Sequence, residues 1–272
     1  IPRIIEHKYF VFLQKIKLAN YIINKYISPL NENQIPIDIN MKQINIKNID
    51  FEEATKTKTL SHYKKIKNKP HTKIIEYLVS KKILDLNNNE VFLDAAGGFN
   101  SEFARYICES NPSIKTYIQD ANPDINNSDS NTFNYIQGSI DNIPLDDASV
   151  DKISCHHSFE HFEKDQDIKF IEESLRLLKI DGKLIITPIF ITNKYSEITN
   201  KLYFRQHDIN SNFFFDPTAT FPGWGPYQGF ARTYDLKSFK DRILDRIPSN
   251  FEVLILSILY ENMPFPEFQY AF

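Results

Sequence analysis

Two glycines and an aspartate stand where a protein can hold an anionic ligand that bears a sugar. Gly97 and Gly98 follow the apolar run VFLDAA, and Ser101 then opens a segment with a helical pattern. Glycine lets the backbone approach a ligand closely, and the amides at a helix N-terminus bind carboxylates or phosphates. Asp120 ends the next predicted strand, IKTYIQD, 22 residues after Gly98, where a carboxylate accepts hydrogen bonds from ribose hydroxyls. Together, the two glycines and Asp120 favour a binding site for an adenosine-bearing ligand. The alternative is a tight turn between strand and helix, with an exposed Asp at the end of the next strand.

Three of the seven histidines, His156, His157 and His161, fall within six residues after the predicted strand VDKISC. Histidine has the reference pKa of a general base at neutral pH. Successive residues near a strand end point in different directions, so at most one of the first two faces a reacting group. We predict His157 as the catalytic base and His156 as packed nearer the ligand. Packing roles and a metal site with Glu160 are the alternatives, and no metal is predicted.

From residue 91 onward, short apolar runs alternate with segments of helical periodicity, which indicates an α/β fold with a mostly parallel sheet. Ligands of such sheets bind at the carboxyl ends of the strands, where the residues above are placed. Upstream, the spacing of apolar residues predicts helices over 4–28 and 72–83, and the polar, Lys-rich segment 52–67 is a candidate surface helix. We therefore predict an N-terminal helical extension and candidate cap over residues 1–70 and a main domain over residues 71–272.

Three segments resemble class I S-adenosylmethionine-dependent methyltransferases, especially the broad small-molecule group. They are VFLDAAGGFN, GSIDNIPLDDASVDKISCHHSFEHF and RLLKIDGKLIIT, and their order and spacing match that family's cofactor loop, third and fourth motifs, and the turn before its fifth strand. The resemblance covers about 100 residues, 91–190, and extends weakly to ARTYDLKSFKDRI and FEVLILSI. It implies a Rossmann-like, doubly wound, mostly parallel seven-stranded sheet, with these last segments supplying a late helix and strands six and seven.

The resemblance also implies roles for individual residues. Asp94, with Ala96, Gly97 and Gly98, would shape the methionine end of the S-adenosylmethionine pocket. Asp120 and Ala121 would hold the ribose, Ser139 and Ile140 would flank the adenine, and His156 would lie where cofactor and acceptor meet. The sequence departs from the family pattern in three places: Ala96 and Asn100 replace glycines, and Ser139 replaces an Asp that Asp141 could substitute.

Residues 195–234 form an insertion rich in aromatic residues, which we predict to be a lid over the acceptor, with an ordinary packed loop as the alternative. Aromatic side chains supply pocket walls, and Arg side chains suit phosphate or carboxylate groups. The predicted acceptor-binding residues are Tyr203, Arg205, Trp224, Tyr227 and Arg232. A saccharide or a phosphorylated metabolite would suit such a site.

Composition limits the alternatives. The chain has 272 residues, 42% hydrophobic and 25% charged, which excludes a disordered or fibrous protein. Its two cysteines cannot build a disulfide framework, so we expect a cytoplasmic protein. Lysines interrupt the apolar stretch 9–27, which argues against a membrane span.

Charge and motifs separate the remaining functions. Residues 1–90 hold 16 Lys and Arg against 9 Asp and Glu, a basic segment that keeps an RNA methyltransferase open as an alternative. Its lysines are not interleaved with aromatic residues, as base stacking requires, so a nucleic-acid partner is disfavoured. A non-catalytic cofactor-binding partner subunit is the other alternative. A nicotinamide-dependent dehydrogenase is disfavoured because the chain has no G-x-G-x-x-G.

Overall fold

The structure is a computed structural model. It describes residues 27, 30, 34, 40–63, 70–98, 100–122, 132–199, 207–215, 230–264 and 270–271. Almost all of the helix predicted over 4–28 lies outside the described residues. None of the helices in the described ranges is long and apolar enough to cross a bilayer.

The described chain contains five α-helices and twelve strands. The helices are α1 (Asn48–Ala54), α2 (Thr72–Leu84), α3 (Glu102–Ser110), α4 (Gln166–Leu177) and α5 (Leu236–Arg242). The first six strands are β1 (Met41–Ile46), β2 (Val91–Ala95), β3 (Lys115–Asp120), β4 (Asn134–Gln137), β5 (Val150–His156) and β6 (Leu178–Thr187). The others are β7 (Ser196–Thr199), β8 (Asn212–Phe215), β9 (Phe230–Thr233), β10 (Ile255–Tyr260), β11 (Met263–Pro264) and β12 (Tyr270–Ala271).

The chain divides into two compact units. The first unit comprises residues 1–36, 160–167 and 190–245, and the second unit comprises residues 37–159, 168–189 and 246–272. The limits of these units do not coincide with the predicted domain boundary at residue 70. That boundary stays a prediction. The helix predicted over 72–83 is confirmed as α2. Of the segment 52–67, the structure describes residues 52–63, and these are α-helical only up to Ala54.

A five-stranded parallel sheet forms the centre of the second unit, in the order β4-β3-β2-β5-β6. Its inner strands bury apolar side chains, such as those of Phe92, Leu93 and Ile153, as expected for strands whose two faces are both covered. From β2 the chain continues to β3 and β4 on one side, and β5 and β6 lie on the other. This change of direction between β2 and β5 is where open α/β sheets bind ligands.

The Rossmann-like parallel sheet is confirmed, but the strand count differs from seven. Five strands of the described chain form this sheet, and the predicted late strand FEVLILSI supplies β10 of a different one. There β10 pairs in parallel with β1 and antiparallel with β11 and β12. The apolar residues Ile46 and Ile255 of this pair are fully buried, so burial explains why it forms.

The first unit contains a three-stranded sheet in the order β8-β7-β9, with β7 and β8 parallel and β7 and β9 antiparallel. Helix α5 follows β9 and begins at Asp235, whose side chain accepts a hydrogen bond from the Ser238 amide at 2.8 Å. Such a cap satisfies an amide that the helix itself leaves unpaired. The late helix predicted from ARTYDLKSFKDRI is confirmed as α5.

Candidate active site

Asp94 lies near the end of β2 and is almost fully buried. Two hydroxyls stabilise its carboxylate: Ser101 donates to Oδ2 at 2.5 Å and Ser154 donates to Oδ1 at 2.7 Å. Ser154 lies directly opposite Asp94 on β5. A buried carboxylate needs such donors because burial without them is costly. Asp94 is therefore a fixed negative group at the sheet's change of direction.

The turn after β2 folds back onto β3. Ala96 donates its amide hydrogen to Gln119 Oε1 at 3.1 Å, and Gly97 donates to the Gln119 carbonyl at 3.0 Å. A Cβ at Gly97 would lie 2.8 Å from Asp94 Oδ2, so only glycine fits there. Ala96 and Gly98 both have left-handed backbones, with φ of 51° and 69°. Ala96, which replaces a family glycine, therefore adopts a conformation unfavourable for alanine.

Asp120 ends β3 beside this turn. Its carboxylate accepts from the Gly98 amide at 2.9 Å and from the Asn122 amide at 2.8 Å. An ionised carboxylate has about four acceptor positions, so two remain for ligand hydroxyls. The Gly138 amide donates to the Asp120 carbonyl at 3.1 Å, which holds the end of β4 against β3.

The residues predicted to flank the nucleoside follow these same strand ends. Ala121 and Ser139 are exposed, whereas Ile140 is buried. An apolar side chain with exposed neighbours is suited to the face of a base, and the exposed surface leaves room for it. The structure thus brings the predicted cofactor residues of β2, β3 and β4 to one edge of the sheet.

His156 is the last residue of β5 and its ring is largely buried. Nε2 lies 2.8 Å from the Ser80 hydroxyl, and the ring packs on Phe103 with centroids 4.4 Å apart. Nδ1 is buried 3.7 Å from Asp94 Oδ1 and has no hydrogen-bond partner among the described residues. A buried nitrogen without a partner is unusual, and a bound ligand atom would supply one.

His157 leaves the strand with a left-handed backbone, φ of 45°, while its amide donates to the Thr187 carbonyl at 3.1 Å. Its side chain is 35% exposed and forms an ion pair with Glu76, which is fully buried. The two histidines therefore differ as the alternation near a strand end predicts: one is packed inside and the other reaches the surface. The general-base role of His157 stays a prediction.

A small cavity of about 70 Å³ joins these groups. Its lining residues are Lys73, Glu76, Tyr77, Asp94, Gly97, Glu102, Phe103, His156 and His157. Pockets for drug-sized ligands are about 300–1,000 Å³, so this cavity holds one end of a nucleoside ligand and not all of it. A separate, open groove of about 540 Å³ follows α3 past Arg105 and Phe133, and none of the predicted site residues lines it.

Helix α2 contributes four of these lining and supporting side chains, which the sequence analysis missed. Lys73, Glu76, Tyr77 and Ser80 recur at the three- and four-residue spacing that places side chains on one helix face. Glu76 and Ser80 are fully buried among the apolar residues of that helix. One signal could have revealed these four side chains: Glu76 is a carboxylate at a position that the helical periodicity assigns to the core.

Glu102 begins α3 and collects hydrogen bonds at the same cavity. Its Oε2 accepts from the Tyr63 hydroxyl at 2.6 Å and from the Tyr77 hydroxyl at 3.3 Å. Burial, together with the Glu102 and Glu76 carboxylates, raises the pKa of Tyr77 well above its ordinary value. Tyr77 is therefore a neutral hydrogen-bond donor at physiological pH.

The predicted acceptor contact of Arg232 is corrected by the structure of the first unit. Arg232 is fully buried, and its guanidinium pairs with Asp167 at 3.0 Å and with Glu197 at 2.9 Å. Further bonds run to the carbonyls of Phe162 and Lys164 at 2.9 and 2.8 Å. A guanidinium has five N–H donors, and these partners occupy them, so Arg232 has a structural role.

The other predicted acceptor residues, Tyr203, Arg205, Trp224 and Tyr227, lie outside the described residues. His161 Nδ1 lies 2.8 Å from the Phe230 carbonyl within the first unit, which agrees with a structural role. Over the part of the chain that the structure describes, no group of three or more His, Cys, Asp or Glu is arranged to hold a metal ion.

Comparison with known protein families finds a match to part of this chain. A family model described as "Methyltransferase domain" matches residues 97–186. This match confirms the resemblance to S-adenosylmethionine-dependent methyltransferases that the sequence motifs indicated. No curated protein matches the chain in sequence.

Solved structures are similar to part of this chain. A protein from Bacillus subtilis, YcgJ, has 20% identity and a TM-score of 0.36, over 42% of this chain and 50% of that one. A SAM-dependent methyltransferase from Aquifex aeolicus has 22% identity and a TM-score of 0.35, over 41% and 62%. The CurJ carbon methyltransferase has 17% identity and a TM-score of 0.36, over 42% and 34%. This chain spans about half the length of such structures.

Proposed function

We propose, from the premise that residues 97–186 are a class I S-adenosylmethionine-dependent methyltransferase domain, that the chain methylates an oxygen or nitrogen of a small-molecule acceptor. One observation supports this most: Asp94, Gly97, Asp120 and His156 meet at the carboxyl ends of adjacent strands. That edge is where sheets of this type bind nucleosides.

The charges of the 70 Å³ cavity suit the amino-acid end of the cofactor. Lys73 supplies an ammonium group for a carboxylate, and Asp94 and Glu102 supply carboxylates for an ammonium. The glycine turn leaves room for the chain between amino acid and ribose, because Gly97 has no Cβ. Asp120 retains acceptor positions for the two ribose hydroxyls. The residues present therefore fit S-adenosylmethionine, which when bound supplies a sulfonium-activated methyl group.

The chain's own contribution is chiefly positioning. Methyl transfer is an in-line displacement. Holding the reacting atoms in place lowers the activation barrier, because the reaction of two molecules becomes effectively unimolecular. Ser154 and Ser101 fix Asp94, and Ser80 fixes the ring of His156. His157, more exposed than His156, is the proposed base, a role typically worth about 10²- to 10⁴-fold in rate.

Calorimetry with S-adenosylhomocysteine, the demethylated product, tests the cofactor site. Replacing Asp120 with Ala removes the acceptor for the ribose hydroxyls. We expect Asp120→Ala to bind about 10- to 150-fold more weakly, equivalent to about 1.5–3 kcal/mol for hydrogen bonds to a charged group. Glu252→Ala is the matched control, because it removes an exposed carboxylate of the same unit. Equal affinity of wild type and Asp120→Ala would remove Asp120 from the site.

Methyl transfer itself is measured with S-adenosylmethionine carrying a labelled methyl group and a metabolite extract. We expect the label in a small-molecule fraction. Label recovered in RNA would favour the nucleic-acid alternative. Tight cofactor binding with no transfer to any fraction would favour a non-catalytic partner subunit.

A further inference from the structure

Glu76 is a fully buried carboxylate in the second turn of α2. Its helical neighbours Ile74, Ile75, Leu78 and Val79 are apolar and buried as well. A charged side chain at such a position costs free energy unless a partner compensates it. The proposed cofactor contacts give Glu76 no role, so its presence at the cavity needs another explanation.

The partner of Glu76 is His157. Glu76 Oε1 and His157 Nε2 form an ion pair that joins helix α2 to the end of β5. The carboxylate is fully buried, whereas the imidazole is 35% exposed. The pair is therefore asymmetric: the acid is shielded from solvent, the imidazole is partly exposed, and both side chains line the cavity.

The backbone around His157 holds the ring in this position. The residue has a φ of 45°, and its amide bonds to Thr187 of β6. Left-handed conformations of residues other than glycine are uncommon and concentrate at functional sites. The turn and the ion pair thus restrain both ends of the His157 side chain.

We propose that Glu76 is a positioning residue that orients His157 and stabilises its protonated form, and that the acceptor consequently carries a proton that must be removed. This inference rests on the proposed function. A neutral hydroxyl group fits this requirement, because its oxygen becomes a good nucleophile only as the proton leaves. An acceptor that is already ionised, such as a carboxylate, would not need the pair.

In the reaction, a lone pair of the acceptor oxygen forms the new bond to the methyl carbon. The bond between that carbon and sulfur breaks, and its electron pair stays on sulfur, which becomes the neutral thioether. The hydroxyl proton passes to the His157 imidazole. Glu76 balances the resulting positive charge until the proton leaves to water. The products are a methyl ether, S-adenosylhomocysteine and one proton.

Other titratable groups face this pair and bear on its pH dependence. They are Tyr63, His71, Lys73, Tyr77, Asp94, Glu102 and His156. Burial and the nearby Lys73 charge lower the pKa of His71, so that ring is neutral at physiological pH. Asp94 is held by Ser101 and Ser154, and Glu102 by Tyr63 and Tyr77. Glu76 is the cavity carboxylate that is ion-paired with His157.

Nuclear magnetic resonance of the imidazole nitrogens tests the inference without any acceptor. The His157 signal is assigned by its loss in His157→Gln. We expect the titration midpoint of His157 to fall by about one unit or more in Glu76→Gln, because the neighbouring negative charge is gone. Glu102→Gln is the matched control, since it removes a carboxylate of the same cavity that pairs with other groups. Its shift should be clearly smaller.

The wild-type protein provides a second readout that needs no folded variant at position 76. In neutral His157 the nitrogen shifts should show the proton on Nε2, facing Glu76. A proton on Nδ1, or equal midpoints in wild type and Glu76→Gln, would overturn the inference. The proposed function has its own test, since it fails if S-adenosylhomocysteine does not bind, whatever the titration of His157.

The acceptor class is tested on the labelled product. An ether keeps its methyl group in alkali, whereas a methyl ester releases labelled methanol. We expect an alkali-stable label. Release of the label as methanol would identify a carboxylate acceptor and overturn the inferred need for a base.

Discussion

The two glycines after β2 are required for different physical reasons. Gly97 has no room for a Cβ because Asp94 Oδ2 would lie 2.8 Å away, whereas at Gly98 no atom of the described chain lies within 4 Å of an added Cβ and φ is 69°. At Gly97 the restriction is steric, because an added Cβ would push against the buried carboxylate of Asp94. At Gly98 the restriction is conformational, because the backbone has a positive φ that residues with a Cβ rarely adopt.

This difference predicts unequal costs for the two alanine variants. Gly97→Ala must displace Asp94 from its hydrogen bonds with Ser101 and Ser154, and we expect a loss of about 2–4 kcal/mol in the free energy of unfolding. Gly98→Ala should cost about 1–2 kcal/mol, the cost of a left-handed backbone for a residue with a Cβ. Urea denaturation of both variants measures the difference. The reverse order would show that Asp94 moves freely.

At this scale the sequence predicts polar groups well where they follow strands. Asp120 and His156 were identifiable because each ends a predicted strand, and strand ends meet at one edge, whereas the role of Asp94 came from the family resemblance. Glu76 was not identifiable, because its only signal is a charged residue within an apolar helical pattern. Its pairing with His157 cannot be inferred from local spacing, since the two residues are far apart in sequence. Arg232 was misjudged for a related reason: its acidic partners Asp167 and Glu197 are distant in sequence.

Among the elements, α4 stabilises the loop that follows the proposed adenine-flanking residues. Glu173 Oε1 accepts from the Ile143 amide at 2.7 Å, and Arg176 donates to the carbonyls of Ile143 and Leu145 at 3.0 and 2.9 Å. A hydrogen bond from Arg176 at 2.7 Å joins the two side chains. One turn of α4 thus supplies hydrogen-bond partners for backbone amide and carbonyl groups of this loop.

The Arg176 hydrogen bond lowers the pKa of Glu173 below its ordinary value. A carboxyl with a lowered folded pKa stabilises the protein fully above its unfolded pKa, about 4.3, and this stabilisation is lost as the pH falls through the folded pKa. We expect Glu173→Gln to lose about 1–3 kcal/mol of unfolding free energy at pH 7, and less below about pH 4.

Chemical denaturation at several pH values measures this loss. Glu172→Gln is the control, since that neighbouring side chain is exposed on the same helix. An equal loss at pH 7 and at pH 3 would show that the ionised form of Glu173 does not matter.

The elements were more predictable than their pairing. VFLDA, KTYIQD and VDKISCH are short and alternate with segments of helical periodicity, and this order identifies them as strands of a parallel sheet. The partner of FEVLILSI could not be inferred in the same way, because half of the residues of β1 are polar (MKQINI) and β1 lies far away along the chain. The family resemblance suggested the central sheet, whereas the structure pairs β10 with β1.

For the whole molecule, this pairing makes residues 41–46 part of the second unit's packed structure. Ile46 of β1 and Ile255 of β10 are fully buried, as are Phe51 and Leu60 farther along. Removal of residues 1–70 would leave one edge of β10 without its partner, and unpaired strand edges promote aggregation. The predicted boundary at residue 70 can therefore be tested directly.

We expect the fragment 71–272 to aggregate or to melt well below the full chain. The fragment 37–272 retains β1 and is the matched control, in which this edge stays covered. Size-exclusion chromatography and thermal melting followed by circular dichroism compare the two. A monomeric fragment 71–272 with the melting temperature of the fragment 37–272 would support the boundary at residue 70.

The same strand pair has a consequence during protein synthesis. The Tyr260 hydroxyl bonds to Asn48 across 212 residues of sequence, so β1 leaves the ribosome long before β10 exists. At roughly 5–20 residues per second, this interval is about 10–40 s. Throughout it, β1 has no strand to pair with, and the unit closes only after translation has passed residue 260. Contacts so distant in sequence slow folding, which makes the nascent chain a natural substrate for chaperones.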